Sequence, residues 1–229
     1  MGRILFVYTS CSKSLTGSGT GWYLPEAAHP YYEADTLREV LAQHHTIDFA
    51  APNGPNPPVD ENSVQMFKDD ESQQFLKDET VTKKFAESKK LSEVDSSQYD
   101  AVFYVGGHGP VIDLASDPVN IKLANEFWRS GKITSAVCHG PAALVGVTDE
   151  AGNSVFKGRS ATCFTNEEEV QVDGVKIIPF LVEDKIKSLG GKFDKTEPWG
   201  VKVCVDGKLI TGQNPASAKG VGEAIHAAL

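Results

Sequence analysis

The sequence predicts an α/β fold: one domain over residues 1–229, with a mostly parallel sheet sandwiched by helices, a late β-hairpin and a small helical insertion. Three observations predict it. Continuous apolar runs recur at 3–9, 101–105 and 133–137, the pattern of strands buried on both faces. Helix-forming stretches separate these runs, as in successive strand–helix–strand units. Near the end, Asp206-Gly207 lies between two short apolar runs and signals a tight hairpin turn.

In order, Arg3 to Thr9 reads as the first strand, and the Ser-, Gly- and Thr-rich stretch from Ser10 to Thr20 as a loop. A helix is expected from near Pro25 to about Gln43, since Pro is tolerated in a first turn, with a disturbance at Pro30. Thr46 to Ala50 is a second strand. The run Pro52-Asn53-Gly54-Pro55-Asn56-Pro57-Pro58 is a surface loop. Residues 69–90 are polar and helix-forming. They read as a solvent-facing insertion, within a loop and helical segment of about 53–95 placed to cover a site. Ala101 to Val105 is a third strand, and Asp117 to Arg129 a helix stopped by Gly131. Ile133 to Val137 is a strand that turns sharply at Cys138 into a helix. Ser160 to Phe164 is a further strand, and Pro179 to Leu189 a helix. Val201 to Val205 and Leu209 to Thr211 form the hairpin. A last helix runs from Pro215 to the C-terminus, capped by Asn214.

Composition narrows the function. The 229-residue chain has a formal net charge of −9, which argues against nucleic-acid binding, where clustered Lys and Arg are needed. No stretch approaches about 18 consecutive apolar residues, so no membrane span is expected. The N-terminus reads as a strand and not as a signal peptide. Cys11, Cys138, Cys163 and Cys204 show no C-x-x-C pairing, which suits free thiols in a reducing cytoplasm.

The chemistry centres on Cys138-His139-Gly140-Pro141. A thiol on a strand-to-helix turn meets backbone N–H groups and a helix dipole that favour its thiolate. Ala136 and Gly140 give the small-x-nucleophile-x-small spacing of a nucleophile elbow, whose crowded backbone needs small neighbours. The alternative is a buried structural cysteine. His139 is either a surface histidine or the base that serves Cys138. Gly106-Gly107-His108-Gly109 lacks the full phosphate-binding G-x-G-x-x-G pattern, and presents bare N–H groups to a developing oxyanion instead. His108 is a structural donor or a catalytic group. Glu26 is an ordinary first-turn acid or a partner of the site. Of Glu167, Glu168 and Glu169, all three are solvated at a helix start, or one orients His139 as a triad acid. His29, His108, His139 and Cys138 lack metal-ligand spacing, so no metal site and no cofactor are expected.

With those residues laid out, the chain resembles the ThiJ/PfpI superfamily of flavodoxin-like proteins, in the branch of glutathione-independent glyoxalase III and heat-shock chaperone proteins. The resemblance runs nearly end to end. It rests on Gly21-Trp22-Tyr23-Leu24-Pro25-Glu26-Ala27-Ala28-His29-Pro30, Gly106-Gly107-His108-Gly109, Ala136-Val137-Cys138-His139-Gly140-Pro141, Phe164-Thr165-Asn166 with Glu169, and Thr211-Gly212-Gln213-Asn214-Pro215-Ala216-Ser217. It implies that Glu26 hydrogen-bonds a nucleophilic Cys138, and that Cys138, His139 and an acid form a triad. The acid is placed at Glu169, with Glu168 as the alternative.

The resemblance also implies an activity. Methylglyoxal, a small 2-oxoaldehyde, and water would give D-lactate through a Cys138 hemithioacetal, with Gly107 and His139 N–H groups on its oxygen. A carboxylate beside the thiol raises the thiol pKa, so Glu26 is expected to be protonated when the thiolate exists. A homodimer with a stress-protective role is expected. The alternatives are a peroxide-sensing stress chaperone, or a protein deglycase or cysteine peptidase of the same superfamily.

Overall fold

The computed structural model describes residues 1–32 and 41–229. The chain opens with β1 (Arg3–Val7), α1 (Leu24–Tyr31) and β2 (Thr46–Ala51). The insertion follows as α2 (Glu61–Met66), α3 (Asp70–Lys77) and α4 (Glu79–Ala86), then the two-residue β3 (Lys89–Lys90). Next come β4 (Ala101–Tyr104), α5 (Gly109–Ile112), α6 (Pro118–Arg129) and β5 (Ile133–Val137). The last third holds β6 (Ser160–Ala161), α7 (Asn166–Gln171), α8 (Val182–Ser188), β7 (Lys192–Phe193), β8 (Val203–Asp206), β9 (Leu209–Gly212) and α9 (Ala218–Ala228).

Seven strands form one sheet in the order β3-β2-β1-β4-β5-β9-β8, parallel throughout except for the β8–β9 hairpin. Side chains alternate across each strand, so β1 sends Ile4 and Phe6 to one core and Leu5 and Val7 to the other. Ala27 and Ala28 of α1 and Val221 and Ile225 of α9 cover the first face; Leu123 and Phe127 of α6 cover the second. Helices on both faces of a parallel sheet match the architecture expected from sequence. Among the described residues, no helix is long and apolar enough to cross a membrane.

Several elements differ from expectation for local reasons. The first helix ends at Tyr31, one residue past Pro30, and Tyr32 is extended. Pro30 removes a helical N–H and crowds the preceding turn. The rest of that expected helix falls partly on residues 33–40, outside the described residues, and 41–45 is a turn. The insertion is not wholly solvent-facing, because α3 and α4 bury Phe75 and Val81 in the first core. Only Ser160–Ala161 of the expected 160–164 strand pairs, with β7 in a separate two-stranded sheet. Beyond it, Thr162 N–H turns to Thr211 Oγ1 at 2.9 Å and Phe164 N–H to Cys138 O at 2.9 Å. Pro179 lies ahead of α8, which starts at Val182. Asn214 does not cap the last helix: its amide turns inward to Glu168, and a 3-10 turn at Pro215–Ser217 leads into α9.

Candidate active site

Strands β4 and β5 are neighbours, so the loops at their carboxyl ends open side by side, where open parallel sheets place their sites. Cys138 follows β5 directly and takes φ +59°, the left-handed region that a side chain seldom adopts. Neighbouring backbone fixes this conformation: Cys138 N–H donates to Gly212 O and Cys138 O accepts from Phe164 N–H, both at 2.9 Å. Gly140 is required beside it, since a Cβ there would lie 2.4 Å from Tyr104 O. The expected helix N-terminus is absent. A five-residue 3-10 turn, Gly140–Leu144, follows the cysteine and supplies little dipole.

Cys138 Sγ lies 3.3 Å from His139 Nδ1, and His139 Nε2 lies 2.6 Å from Glu169 Oε2. A carboxylate can only accept, so His139 carries its proton on Nε2 and turns a free lone pair on Nδ1 toward the thiol. His108 donates from Nε2 to the other oxygen of Glu169 at 2.9 Å. Burial opposes ionisation of Glu169, but the two imidazoles outweigh it, through hydrogen bonds and through charge when protonated, and hold the carboxyl well below the usual range. Burial lowers the pKa of His139 in spite of Glu169, so a neutral imidazole faces an ionised carboxylate at neutral pH. Gly174 makes room for this carboxylate, since a Cβ there would lie 1.8 Å from Glu169 Oε1.

Glu168 sits in a different place. Its Oε2 accepts from Thr165 N–H at 2.9 Å and from Thr165 Oγ1 at 2.8 Å, closing the start of α7. Its Oε1 accepts from Trp199 N–H at 2.8 Å, Asn214 Nδ2 at 2.8 Å and Gln213 Nε2 at 3.2 Å. Glu169 alone of the Glu167–Glu169 run touches His139 among the described contacts.

Glu26, in the first turn of α1, is completely buried against the Cys138 thiol. A Cβ on Gly106 would fall 2.2 Å from Glu26 Oε2 and 3.0 Å from Cys138 Cβ, so only glycine fits between them. Burial raises the Glu26 carboxyl far above the usual range, against smaller opposing effects of the thiol and of Gly106 and Gly107 N–H. Neither carboxyl oxygen makes a well-formed hydrogen bond within the protein. Burial therefore favours the neutral acid form of Glu26. Burial also raises the Cys138 thiol well above its ordinary value, with nearby carboxylates adding to it. Both effects disfavour the thiolate, opposite in direction to the helix dipole expected from the sequence.

A cavity of about 610 Å³ opens onto these groups. Glu26, Gly107, His108, Cys138 and His139 line it, with Asp60, Asn62, Met66 and Phe67 of the insertion forming part of its wall. Gly107 takes φ +90°, and a Cβ there would strike Gly21 O at 2.3 Å. His29 is not part of the group and pairs with Asp69 at 3.0 Å. Trp199 was not anticipated from sequence. It lines the cavity at φ +66°, edge-on to Phe164 at 5.6 Å, with its indole N–H on Gln171 Oε1 at 2.6 Å. The signal was a lone aromatic in a polar turn, Glu197-Pro198-Trp199-Gly200.

Fold and constellation together define an α/β protein with a buried cysteine at a left-handed elbow, beside a histidine and two carboxyl groups. The chain belongs to the DJ-1/PfpI family, whose model matches residues 31–227, and the resemblance read from the motifs is borne out. It is 33% identical over 227 residues to the glutathione-independent glyoxalase HSP31 of Saccharomyces cerevisiae, covering 94% of this chain and 93% of that one. Among solved structures, it is similar to the 24 kDa rapid encystment protein of Francisella tularensis, with TM-score 0.90 and 31% identity over 100% of this chain and 99% of that one. It is also similar to glyoxalase III from Candida albicans, with TM-score 0.81 and 27% identity over 100% and 97% of the two chains.

Proposed function

We propose that the protein is a glutathione-independent glyoxalase of the glyoxalase III type, turning methylglyoxal and water into D-lactate. The observation that carries this reading is the relay Cys138 Sγ–His139 Nδ1, His139 Nε2–Glu169 Oε2 with neutral Glu26 against the same thiol. The names of similar proteins support it.

In this reading His139 Nδ1 takes the thiol proton as Sγ adds to the aldehyde carbon. A C–S bond forms. The former carbonyl oxygen takes a proton, from Glu26 or back from His139, to become the hemithioacetal hydroxyl and leave that group able to act as a base. The N–H groups of Gly107 and His139 hold that oxygen, and His108 borders it. A base, Glu26 once ionised or His139, removes the proton from the first carbon, and the electron pair forms an enediol. The proton returns at the second carbon, leaving a thioester. Water then breaks the C–S bond. The aldehyde carbon is oxidised and the ketone carbon reduced, so no outside oxidant or metal is consumed. Two groups of opposite proton demand, a neutral imidazole and a neutral carboxyl, suit this shuttle, which typically contributes about 10²–10⁴-fold.

A peroxide sensor would use the same Glu26–Cys138 pair, but sensor cysteines are accessible and thiolate-like, and this thiol is buried in surroundings that disfavour its ionised form. The proposal extends to a cytoplasmic homodimer with a stress-protective role, for which light scattering tests the dimer. The deciding experiment is a methylglyoxal assay without glutathione, with lactate measured, on wild type and Cys138→Ala. Lactate from wild type and none above background from the variant is the expected result. Equal turnover by the variant overturns the reading.

A further inference from the structure

Methylglyoxal does not account for the shape of the cavity. At roughly 30 Å³ per water molecule, about 610 Å³ holds about twenty waters. Methylglyoxal displaces only a few of these. The volume instead falls in the range of pockets that enclose a larger organic ligand.

The lining says what kind of ligand. Tyr23 and Phe67 pack edge-on at 5.6 Å, with Met66 beside them. Phe164 and Trp199 form a second aromatic pair, and Val172 completes it. Met66, Trp199 and Val172 are 69%, 47% and 43% exposed, so large apolar side chains stand uncovered around the mouth. Such a group marks a binding surface. No Lys or Arg lines the cavity among the described residues, while Asp60 places a carboxylate in its wall. An anionic substituent, phosphate or carboxylate, finds no counter-charge there.

We infer that the site takes 2-oxoaldehydes whose ketone carbon bears an uncharged apolar arm, aryl or branched alkyl, with Trp199 as the residue that selects it. The inference rests on the aldehyde reading above for the chemistry, and on the cavity alone for the arm. The arm lies against the Phe164–Trp199 pair while the aldehyde carbon reaches Cys138. Trp199 holds its place because Glu168 binds its backbone N–H and Gln171 its indole, so the wall is rigid before substrate arrives.

Two measurements separate the arm from the chemistry. Calorimetric titration of the unreactive Cys138→Ala protein with 1-phenyl-1,2-propanedione and with 2,3-butanedione reads the arm alone. The phenyl diketone is expected to bind at least about tenfold more tightly. Adding Trp199→Ala is expected to shrink that ratio at least fivefold, and Trp199→Phe to restore most of it. Equal affinities, or a ratio that ignores Trp199→Ala, overturn the inference. Turnover of phenylglyoxal and methylglyoxal by the Cys138 protein, without glutathione, reads the chemistry. Consumption of neither overturns the aldehyde reading and leaves the binding result to decide the arm. A phenylglyoxal-to-methylglyoxal ratio of kcat/KM that is the same in wild type and Trp199→Ala counts against the arm.

Discussion

Glu168 accepts the backbone N–H of Trp199 at 2.8 Å, so a buried carboxylate one residue from Glu169 holds the outer wall of the cavity. The two adjacent acids divide the work. Glu169 faces the imidazoles, and Glu168 gathers the 196–200 loop, Gln213 and Asn214 onto the start of α7. Replacing Glu168 by Gln puts an NH₂ group among donors that need an acceptor. The variant is expected to lose about 2–4 kcal/mol of stability in urea unfolding, with a shift in tryptophan emission below the transition. An unchanged midpoint would show that Glu168 is not the anchor of this loop.

Glu26→Gln keeps the volume of the side chain but cannot give up and regain a proton. A fall in kcat of about 10²-fold or more is expected with methylglyoxal, in a protein whose melting temperature stays close to wild type. Near-wild-type kcat would remove Glu26 from the proton shuttle.

The strands were legible because both faces of this sheet are covered, which leaves near-continuous apolar runs such as Ile4 to Val7 and Ala101 to Tyr104. Cys138 was legible because an elbow demands small residues at fixed offsets, and Ala136 and Gly140 supply them. The parts expected of His139 and Glu26 came from the family resemblance, since a first-turn acid such as Glu26 carries no such local mark. Trp199 and Glu168 were not legible. Their partnership joins positions 31 residues apart through a backbone N–H, and no residue type at either end records that contact. The assignment between Glu168 and Glu169 likewise depends on which turn of α7 faces the imidazoles. The run of three carboxylates hides that choice. The helix expected after Cys138 is a short 3-10 turn, and burial, invisible in a local motif, acts on the thiol in the opposite direction to a helix dipole.

His108→Asn removes one of the two imidazoles that hold Glu169. The carboxyl is then expected to titrate closer to its ordinary range, and His139, freed from a neighbouring imidazole that lowers its pKa, to protonate more easily. Both changes move loss of activity in the same direction. The acid limb of the kcat/KM profile should shift to higher pH, with the alkaline limb less affected. An unmoved acid limb would mean that His108 only lines the cavity.

At the far end of the sheet, Gly2 N–H donates to His45 Nδ1 at 3.0 Å, and His45 Nε2 meets His226 Nδ1 of α9 at 2.8 Å. Burial lowers the pKa of His45, helped by His226, the N-terminal amino group and His44, against the opposing pull of Asp100. A histidine held neutral in the fold gains its proton more readily when unfolded. Its contribution to stability is intact above about pH 6.5 and is lost as the pH falls below that value. His45→Gln should therefore flatten the decline of melting temperature between about pH 6.5 and 5. His139 has the same sign, so the decline is reduced and not abolished. An identical slope in the variant would place the acid sensitivity elsewhere.

Gly174→Ala tests the narrowest clearance in the site. A methyl group 1.8 Å from Glu169 Oε1 must push the carboxylate off His108 or His139. Activity is expected to fall about tenfold or more, since displacing a positioned group by an ångström is enough for such losses. Retained activity would show that the 174 segment yields and the acid keeps its place.

A buried cysteine packed against Gly106 and Glu26, whose surroundings disfavour its thiolate, is on the proposed reading a nucleophile withheld from casual chemistry. Alkylating reagents, metals and stray disulfides all compete for thiolate. Burial disfavours that form at Cys138, and in the proposed reaction His139 takes the proton only when an electrophile is in place. On the proposed reading, reactivity is released by the target, and selectivity among electrophiles begins before any bond is made.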